Sequence, residues 1–342
     1  MTLDVDQRSS APDAAVSGTN SAPAAASGSQ RFTAALLRVG LLPVLLVVGI
    51  VIFTSLEPRF LSSVNGTNIG RQLSFLLIVT MAQMLVLLTA EIDMSVGYTI
   101  ALTSVVSSKV MVDHGVVAGV VAGLLVGLVI GLFNGVIVAR FRVPSFIVTI
   151  GSGAIAFGSA LMLSDGSPIS GLPGKFTETL GATSLGPVPL SFVISLVVFA
   201  VLYLVLNWTT IGRYFYAVGG GENAARLVGV PVFRSKVLAF VLCSVLTSLA
   251  GILLTARVSS GEANLGSEYV ILSIAAAVLG GTSFFGGEGK LGIVAVGALF
   301  LVVLSNGMNL IRVSSYTQQV VLGVLLVTAV VIDRLRSRTG AR

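Results

Sequence analysis

The chain has 342 residues, 55% apolar and only 10% charged, with a formal net charge of +6 and a mean hydropathy of +1.01. A soluble globular domain carries roughly 25% charge, so this composition lacks the polar surface to face water all round and points to lipid as its main solvent. The positive balance does not signal nucleic acid, because the aromatic–basic interleaving that grips single strands is missing.

Residues 1–30 are rich in Ala, Ser, Gly and Pro and carry Asp4, Asp6 and Asp13. Such a segment cannot bury enough apolar surface to fold, and it lacks the basic start and apolar core of a signal peptide. It is expected to be a disordered cytoplasmic tail, with a transmembrane domain over 31–342. A spanning helix needs about 20 mostly apolar residues. Runs of that kind lie at 39–56, 73–90, 96–112, 116–138, 145–163, 188–207, 237–256, 270–285, 291–311 and 317–333. The expected fold is all-α, a polytopic membrane bundle of about ten transmembrane helices.

Between the second and third runs lies Thr89-Ala-Glu-Ile-Asp-Met-Ser-Val-Gly97. Glu91 and Asp93 stand beside long apolar stretches, where charge is costly unless it faces a cavity or a partner. The stretch reads as pathway or gating structure, with a proton- or ion-coupling site as the sharper variant. A plain cytoplasmic loop whose acids meet water or Arg140 accounts for the same residues. His114, beside Asp113 after the third run, lacks the partners that acid–base chemistry needs and reads as a solvated loop residue.

In the fourth run Gly115, Gly119, Gly123, Gly127, Gly131 and Gly135 recur every four residues. At helical pitch they form a stripe without side chains, suited to close helix packing within the chain or against a second copy. Gly151-Ser-Gly153 with Ala156 is a partial dinucleotide fingerprint inside a span, better explained by packing. The loop from Ser164 to Pro187, with Asp165, Lys175 and Glu178, is the longest on its side and a natural surface for a soluble extracytoplasmic partner.

The polar loop 209–236 is the most informative interruption. It carries Arg213, Arg226, Arg234 and Lys236. Glu222 to Leu227 is predicted to form a short helix, stopped by Gly229 with Pro231 just beyond. A basic helix on the surface of a membrane protein is a docking element, so the pumping machinery is expected on another polypeptide. Cys243 is the sole cysteine, which excludes an intrachain disulfide and a thiol metal site. No catalytic, cofactor or metal constellation is expected.

A second interruption reads Leu279-Gly-Gly-Thr-Ser-Phe-Phe-Gly-Gly-Glu-Gly-Lys290. It fails as a nucleotide-binding loop of the form G-x-x-x-x-G-K-[ST]: Phe284 stands at the first Gly position and Leu291 at the Ser/Thr position. Basic residues then set orientation. With the N-terminus inside, the cytoplasmic side collects Arg31, Arg38, Arg140, Arg142, Arg213, Arg226, Arg234, Lys236, Lys290, Arg334, Arg336, Arg338 and Arg342. The other side collects Arg59, Arg71, Lys109, Lys175, Arg257 and Arg312. Both termini are expected to be cytoplasmic.

Four motifs in order resemble the membrane permease of ribose-type bacterial ABC sugar importers, over about 60–333. They are Glu91-Ile-Asp-Met-Ser-Val-Gly97, Asn134-Gly135 through Val143-Pro-Ser-Phe-Ile-Val-Thr149, Gly212-Arg213 through Gly229, and the stretch from Ile274 to Gly287. The resemblance implies a permease homodimer in the bacterial inner membrane, surrounded by lipid, with an ATPase subunit on the cytoplasmic face and a periplasmic solute-binding protein outside. Importers of this kind dock their ATPase through a loop resembling E-A-A-x-x-x-G. Asn223, Ala224, Ala225 and Gly229 fall on that spacing, and Gly221, Glu222 and Arg226 complete the expected ATPase-coupling set. Ala225 is expected to face the ATPase groove. Glu91, Asp93, Ser95, Gly97, Asn134, Thr282 and Ser283 are the expected pathway or gating residues. One departure stands out: where relatives commonly show Tyr-Glu-Leu-Asp, this chain has Tyr269-Val-Ile-Leu272. A monosaccharide, a pentose or a related sugar, is the expected substrate, with branched-chain amino acids and nucleosides as alternatives within the architecture and an ion-coupled secondary transporter as the rival outside it.

Overall fold

Lipid leaves a backbone few ways to satisfy its own N–H and C=O groups, and each apolar run of this chain falls on an α-helix. The computed structural model describes residues 41–339, with side chains placed from 42 to 331. The tail at 1–30 and the topological residues Arg31, Arg38 and Arg342 lie outside the described residues. In chain order the helices are α1 (Leu41–Leu56), α2 (Ser63–Leu88), α3 (Val96–His114), α4 (Val116–Phe141), α5 (Ser145–Ser164), α6 (Leu190–Trp208), α7 (Thr210–Gly220), α8 (Glu222–Leu227), α9 (Val232–Val258), α10 (Tyr269–Leu279), α11 (Leu291–Leu310) and α12 (Ser315–Thr339). Among the described residues six of them, α2, α4, α5, α6, α9 and α11, are long and apolar enough to cross a membrane. The chain is an all-α, multi-pass membrane protein.

The bundle is built around α2. Ser62 caps it by accepting the Asn65 N–H at 3.2 Å, and every side chain from Leu73 to Leu88 is buried. Helices α9, α11, α10 and α6 surround it. By contrast α4 is one-sided. A Cβ at Gly131 would stand 2.6 Å from Val241 Cα, and one at Gly135 would stand 2.8 Å from Val237 Cα. From Gly123 to Gly135 the glycine stripe is therefore the face that presses on α9, while Gly119 lies on Met111 and Ser107 of α3, so these contacts are intramolecular. Val117, Val121, Leu125 and Val129, four apart on the same helix, face outward.

Helix α3 is more polar than a lipid-facing span because its hydroxyls meet α9. Thr103 and Ser248 are 2.9 Å apart, and Thr255 donates to Ser104 Oγ at 2.7 Å. Gly153 of α5 packs against Tyr98 of α3, which accounts for that half of the partial dinucleotide fingerprint. His114 is an exposed residue in the last turn of α3, with Gly115 making the turn into α4.

Two elements differ from the sequence expectation. The eighth run does not extend to 285: α10 stops at Leu279, about 16 Å of helix, because Gly281 takes φ +77° and the N–H groups of Gly281 and Thr282 bond back to Val278 O and Ala277 O in a Schellman cap. Gly280 beside it is pressed against α11. A Cβ there would meet Val294 Cα at 2.5 Å. The loop 164–187 is also more structured than its composition suggests. A turn at Gly174–Phe176 leads into a wide turn, Thr177–Ala182, followed by an antiparallel pair of strands, β1 (Ser184–Leu185) and β2 (Val188–Pro189). Arg71 fastens the loop by donating to Ala182 O at 3.1 Å.

Candidate functional site at the coupling end

The chain leaves α2 at Thr89, Ala90 takes φ +60°, and no helix resumes until Val96. Backbone groups released by such a break are costly inside a bundle unless something else bonds them. Here neighbouring side chains do so. Ile92 N–H donates to Ser145 Oγ at 3.0 Å, and Met94 N–H donates to Thr149 Oγ1 at 2.9 Å. With its nitrogen turned toward the carbonyl, the Gln83 amide donates to Asp93 O at 3.1 Å and accepts from Asp93 N–H at 3.3 Å. Ser145 and Thr149 lie one helical turn apart on α5, so one helix face holds the extended stretch as a neighbouring strand would.

Asp93 is wholly buried. Its Oδ1 accepts from the Ser95 N–H at 2.8 Å and from the Ser95 hydroxyl at 2.5 Å. Asn134 of α4 donates to Ser95 Oγ at 3.1 Å, and the Cys243 thiol of α9 reaches the same carboxylate. Among the described residues Asp93 Oδ2 and Asn134 Oδ1 accept no hydrogen bond. The structure thus brings Asp93, Ser95 and Asn134 together and adds Gln83, Ser145, Thr149 and Cys243. The i, i+4 hydroxyls inside the 143–149 motif were the available sequence signal for two of these.

Gly97 stands apart from that cluster: a Cβ there would meet Gly266 O and Val270 Cγ2 at 2.7 Å. Val270, in the stretch where this chain departs from the pattern the resemblance implies, is therefore a packing residue. Thr282 and Ser283 belong to the separate 280–290 loop. That loop is bonded to α2 through Gly287 N–H and Leu88 O at 3.1 Å, and to α7 through the Tyr216 hydroxyl and Gly289 O at 2.9 Å. Most of its glycines are close-approach points. Gly286 lies on Ala90, and Gly287 lies on Gly220.

The basic loop 209–236 holds two helices, and sequence reading found only the second. In α7, capped by Thr209 onto Gly212 N–H at 3.4 Å, Gly212, Phe215 and Val218 are buried. The apolar spacing 211, 215 and 218 behind a Thr cap was its signal. Helix α8 ends as expected: Gly229 takes φ +81°, Val230 N–H bonds Ala225 O at 3.0 Å, and Gly229 N–H bonds Arg226 O at 3.2 Å. These are the two bonds of a Schellman cap.

The direction of α8 corrects one expectation. Ala225 does not face outward; it is 3% exposed and packs with Val218 and Val232 of its own chain. One apolar contact has to root so short a helix, and a methyl group fits there. The outward face is formed by Asn223, Ala224, Leu227 and Val228, with Leu227 89% and Val228 79% exposed.

Charges tie the two stretches together. Lys236, on the first turn of α9, lies 2.7 Å from Glu91 and 2.8 Å from Glu222, and Glu222 also pairs with Arg226 at 2.7 Å. The hydrogen bond from Lys236 holds the Glu222 carboxyl below the ordinary carboxylate range, against the opposite pull of its partial burial, and Arg226 adds to the effect. Glu91 thus meets Lys236 rather than Arg140. A groove of about 900 Å³ runs beside these residues, lined also by Arg140, Arg142 and Arg234. Among the described residues no cluster of three or more His, Cys, Asp or Glu side chains could hold a metal.

The chain is 39% identical to the ribose import permease protein of Escherichia coli (strain K12), over 90% of this chain and 97% of that one. It is 37% identical to the ribose import permease protein of Bacillus subtilis, covering 85% and 91% of the two chains. It is 35% identical to the L-arabinose transport system permease protein of Escherichia coli (strain K12), covering 86% and 90%. No solved structure matches it. Residues 65–330 match the family described as branched-chain amino acid transport system, permease component, and the chain belongs to that family.

Proposed function

We propose that this chain is the translocation subunit of an ATP-binding-cassette importer that brings a monosaccharide, a pentose or a related sugar, into the bacterial cytoplasm through the inner membrane. The observation that carries the reading is α8. It is rooted by buried Ala225, locked by its Gly229 cap, and presents Leu227 and Val228 to a partner on a membrane protein that carries no nucleotide-binding motif. Isolated apolar side chains at that exposure suit insertion into a groove on another protein. A separate ATPase subunit fits there, and the chain itself catalyses no reaction.

The finer reading has ten passes, both termini cytoplasmic, and two copies of the chain per transporter. Segregation of charge supports the orientation. Arg140, Arg142, Arg226, Arg234 and Lys236 share one groove, whereas Lys109 donates to Leu163 O at 3.0 Å and Arg71 to the 177–182 turn, both on the side assigned to the periplasm. The structured 164–187 loop lies on that second side and suits contact with a solute-binding protein. The sugar assignment rests on the ribose and arabinose permeases to which the chain is similar. Glu91, Asp93, Ser95 and Asn134 support the gating structure from its buried side.

A secondary transporter remains the competing reading on one observation, the buried Asp93 carboxylate with an oxygen that accepts no hydrogen bond. Uptake of D-ribose and L-arabinose into vesicles decides. The importer reading expects flux only with an ATPase subunit, ATP and a liganded binding protein. Flux from the purified chain alone under a proton or sodium gradient would overturn it.

A further inference from the structure

Two stretches 145 residues apart in sequence, the break after α2 and the start of α9, are bridged through one ammonium group. Glu91, Lys236, Glu222 and Arg226 form an unbroken chain of ion pairs with two positive and two negative charges. The Glu91 and Lys236 side chains are each only 13% exposed, so their attraction is less screened than that of a surface pair. On one flank of this chain stands α8. On the other stands a break whose backbone is clamped at Ile92 by Ser145, at Asp93 by Gln83 and at Met94 by Thr149. Ile92 and Met94 in turn line a wholly apolar groove of about 430 Å³ with Phe146 and Ile150 of α5, Ile274 of α10 and Leu326 of α12.

We infer that Lys236 is a positioning residue that binds α8 to the 89–95 break, so that a displacement of α8 is delivered to Ile92 and Met94 in the apolar groove. The inference rests on the reading of α8 as the ATPase-docking helix and names the route by which that docking reaches the spans. The apolar contact of α8, Ala225 against Val218 and Val232, leads to the first residue of α9 and to α7, whose Gly219 abuts the last residue of α2, Leu88, and not the acidic stretch beyond it. The ionic contact is the one that leads to the break. Glu222 can move with α8 without releasing Lys236, because an ammonium group carries three donors and serves both carboxylates. Because the break is bonded on both sides of Asp93, a pull at Glu91 moves the stretch as a unit.

The test uses the full chain, assembled with its ATPase subunit in vesicles, with a cysteine introduced by Ile92→Cys. The readout is the rate of maleimide modification with and without ATP and vanadate; native Cys243 is fully buried. With Lys236 present, nucleotide trapping is expected to change that rate at least threefold. Lys236→Met and Glu91→Gln should abolish the change while the ATPase still co-purifies and still traps nucleotide. Lys236→Arg, which keeps a cation with donors for both Glu91 and Glu222, should retain at least half of it. If Lys236→Met fails to assemble, Glu91→Gln carries the test, since it leaves the Lys236–Glu222 pair in place. An equal response in the parent chain and both disrupting variants, no response in the parent with ATPase bound, or a response in Lys236→Arg no greater than in Lys236→Met would each overturn the inference while docking stands. Failure of the ATPase to co-purify with the parent chain would instead sink the reading of α8.

Discussion

The two polar interruptions, 89–95 and 280–290, look alike in sequence and are held by opposite means. Each breaks an apolar run, and each contains residues that could touch a ligand. In 89–95 the chain keeps its side chains, buries Asp93 and borrows hydroxyl and amide groups from α2 and α5 to satisfy its backbone. In 280–290 side chains are dispensed with at the contact points, and glycine backbones lie directly on Leu88, Ala90 and Gly220. A break made of side chains has bonds that can be exchanged or pulled. A break made of glycines is a steric fit, suited to holding α2, α7 and α10 in register.

The hardest way to break this contrast is to crowd the glycine contact. Gly219 faces Leu88 O and the Gly287 backbone so closely that a Cβ has no room. Gly219→Val should destabilise the detergent-solubilised protein by about 3 kcal/mol, because backbone cannot yield as a side chain does; a thermal melt unchanged within error would show that the loop is loose. Next comes the buried acid. Asp93→Leu removes the acceptor of two Ser95 donors and should cost about 2 kcal/mol, whereas Asp93→Asn keeps an acceptor oxygen and should cost less than half of that. If the Asn variant retains ATP-driven uptake within threefold of the parent, the carboxylate is structural. A complete loss of uptake with an unchanged melt would favour ion coupling.

A smaller effect is expected from Thr149→Val, which removes the hydroxyl that accepts from Met94 N–H but preserves shape. It should cost about 1 kcal/mol and quicken maleimide labelling at Ile92→Cys, with no effect at a cysteine placed at Phe285. Acid should give the smallest change and should act on one break only. The folded Glu222 carboxyl titrates below its unfolded value, so the stability its pairs contribute is present above the ordinary carboxylate value, near 4.3, and is lost as pH falls through the lowered one. Between pH 7 and the ordinary carboxylate range the response of the 89–95 break should hold, and below that range it should fade. Glu288 and Lys290 of the other loop belong to no ion pair among the described residues, so its packing should not follow this titration.

Much of the scaffold was legible because lipid imposes a simple rule: apolar runs of sufficient length become helices. The glycine stripe of α4 was legible for a similar reason, since a four-residue repeat leaves one bare face. Its partner was not, because nothing in the repeat names Val237, Val241 and Ser244 of α9. Helix α8 could be read from its Gly229 stop, yet its rotation could not. Ala224 and Ala225 are equivalent in sequence, and only the presence of Val218 and Val232 decides which one is buried. Helix α7 was overlooked because 11 residues with three glycines carry little intrinsic helix preference, and packing of Phe215 and Val218 overrides that.

By itself, then, the sequence determined the solvent, the apolar runs, the basic loop and the short helix at Glu222–Leu227, all properties of neighbouring residues along one chain. The tertiary structure alone decided that Gly280 at the end of α10 lies on Val294, that Asn134 of α4 and Cys243 of α9 meet the Asp93–Ser95 pair, and that Glu91 answers Lys236 rather than Arg140. Those are contacts between segments far apart in the chain. They depend on how helices are rotated against each other, and an apolar periodicity within one helix does not specify a rotation when lipid and protein interior are equally apolar.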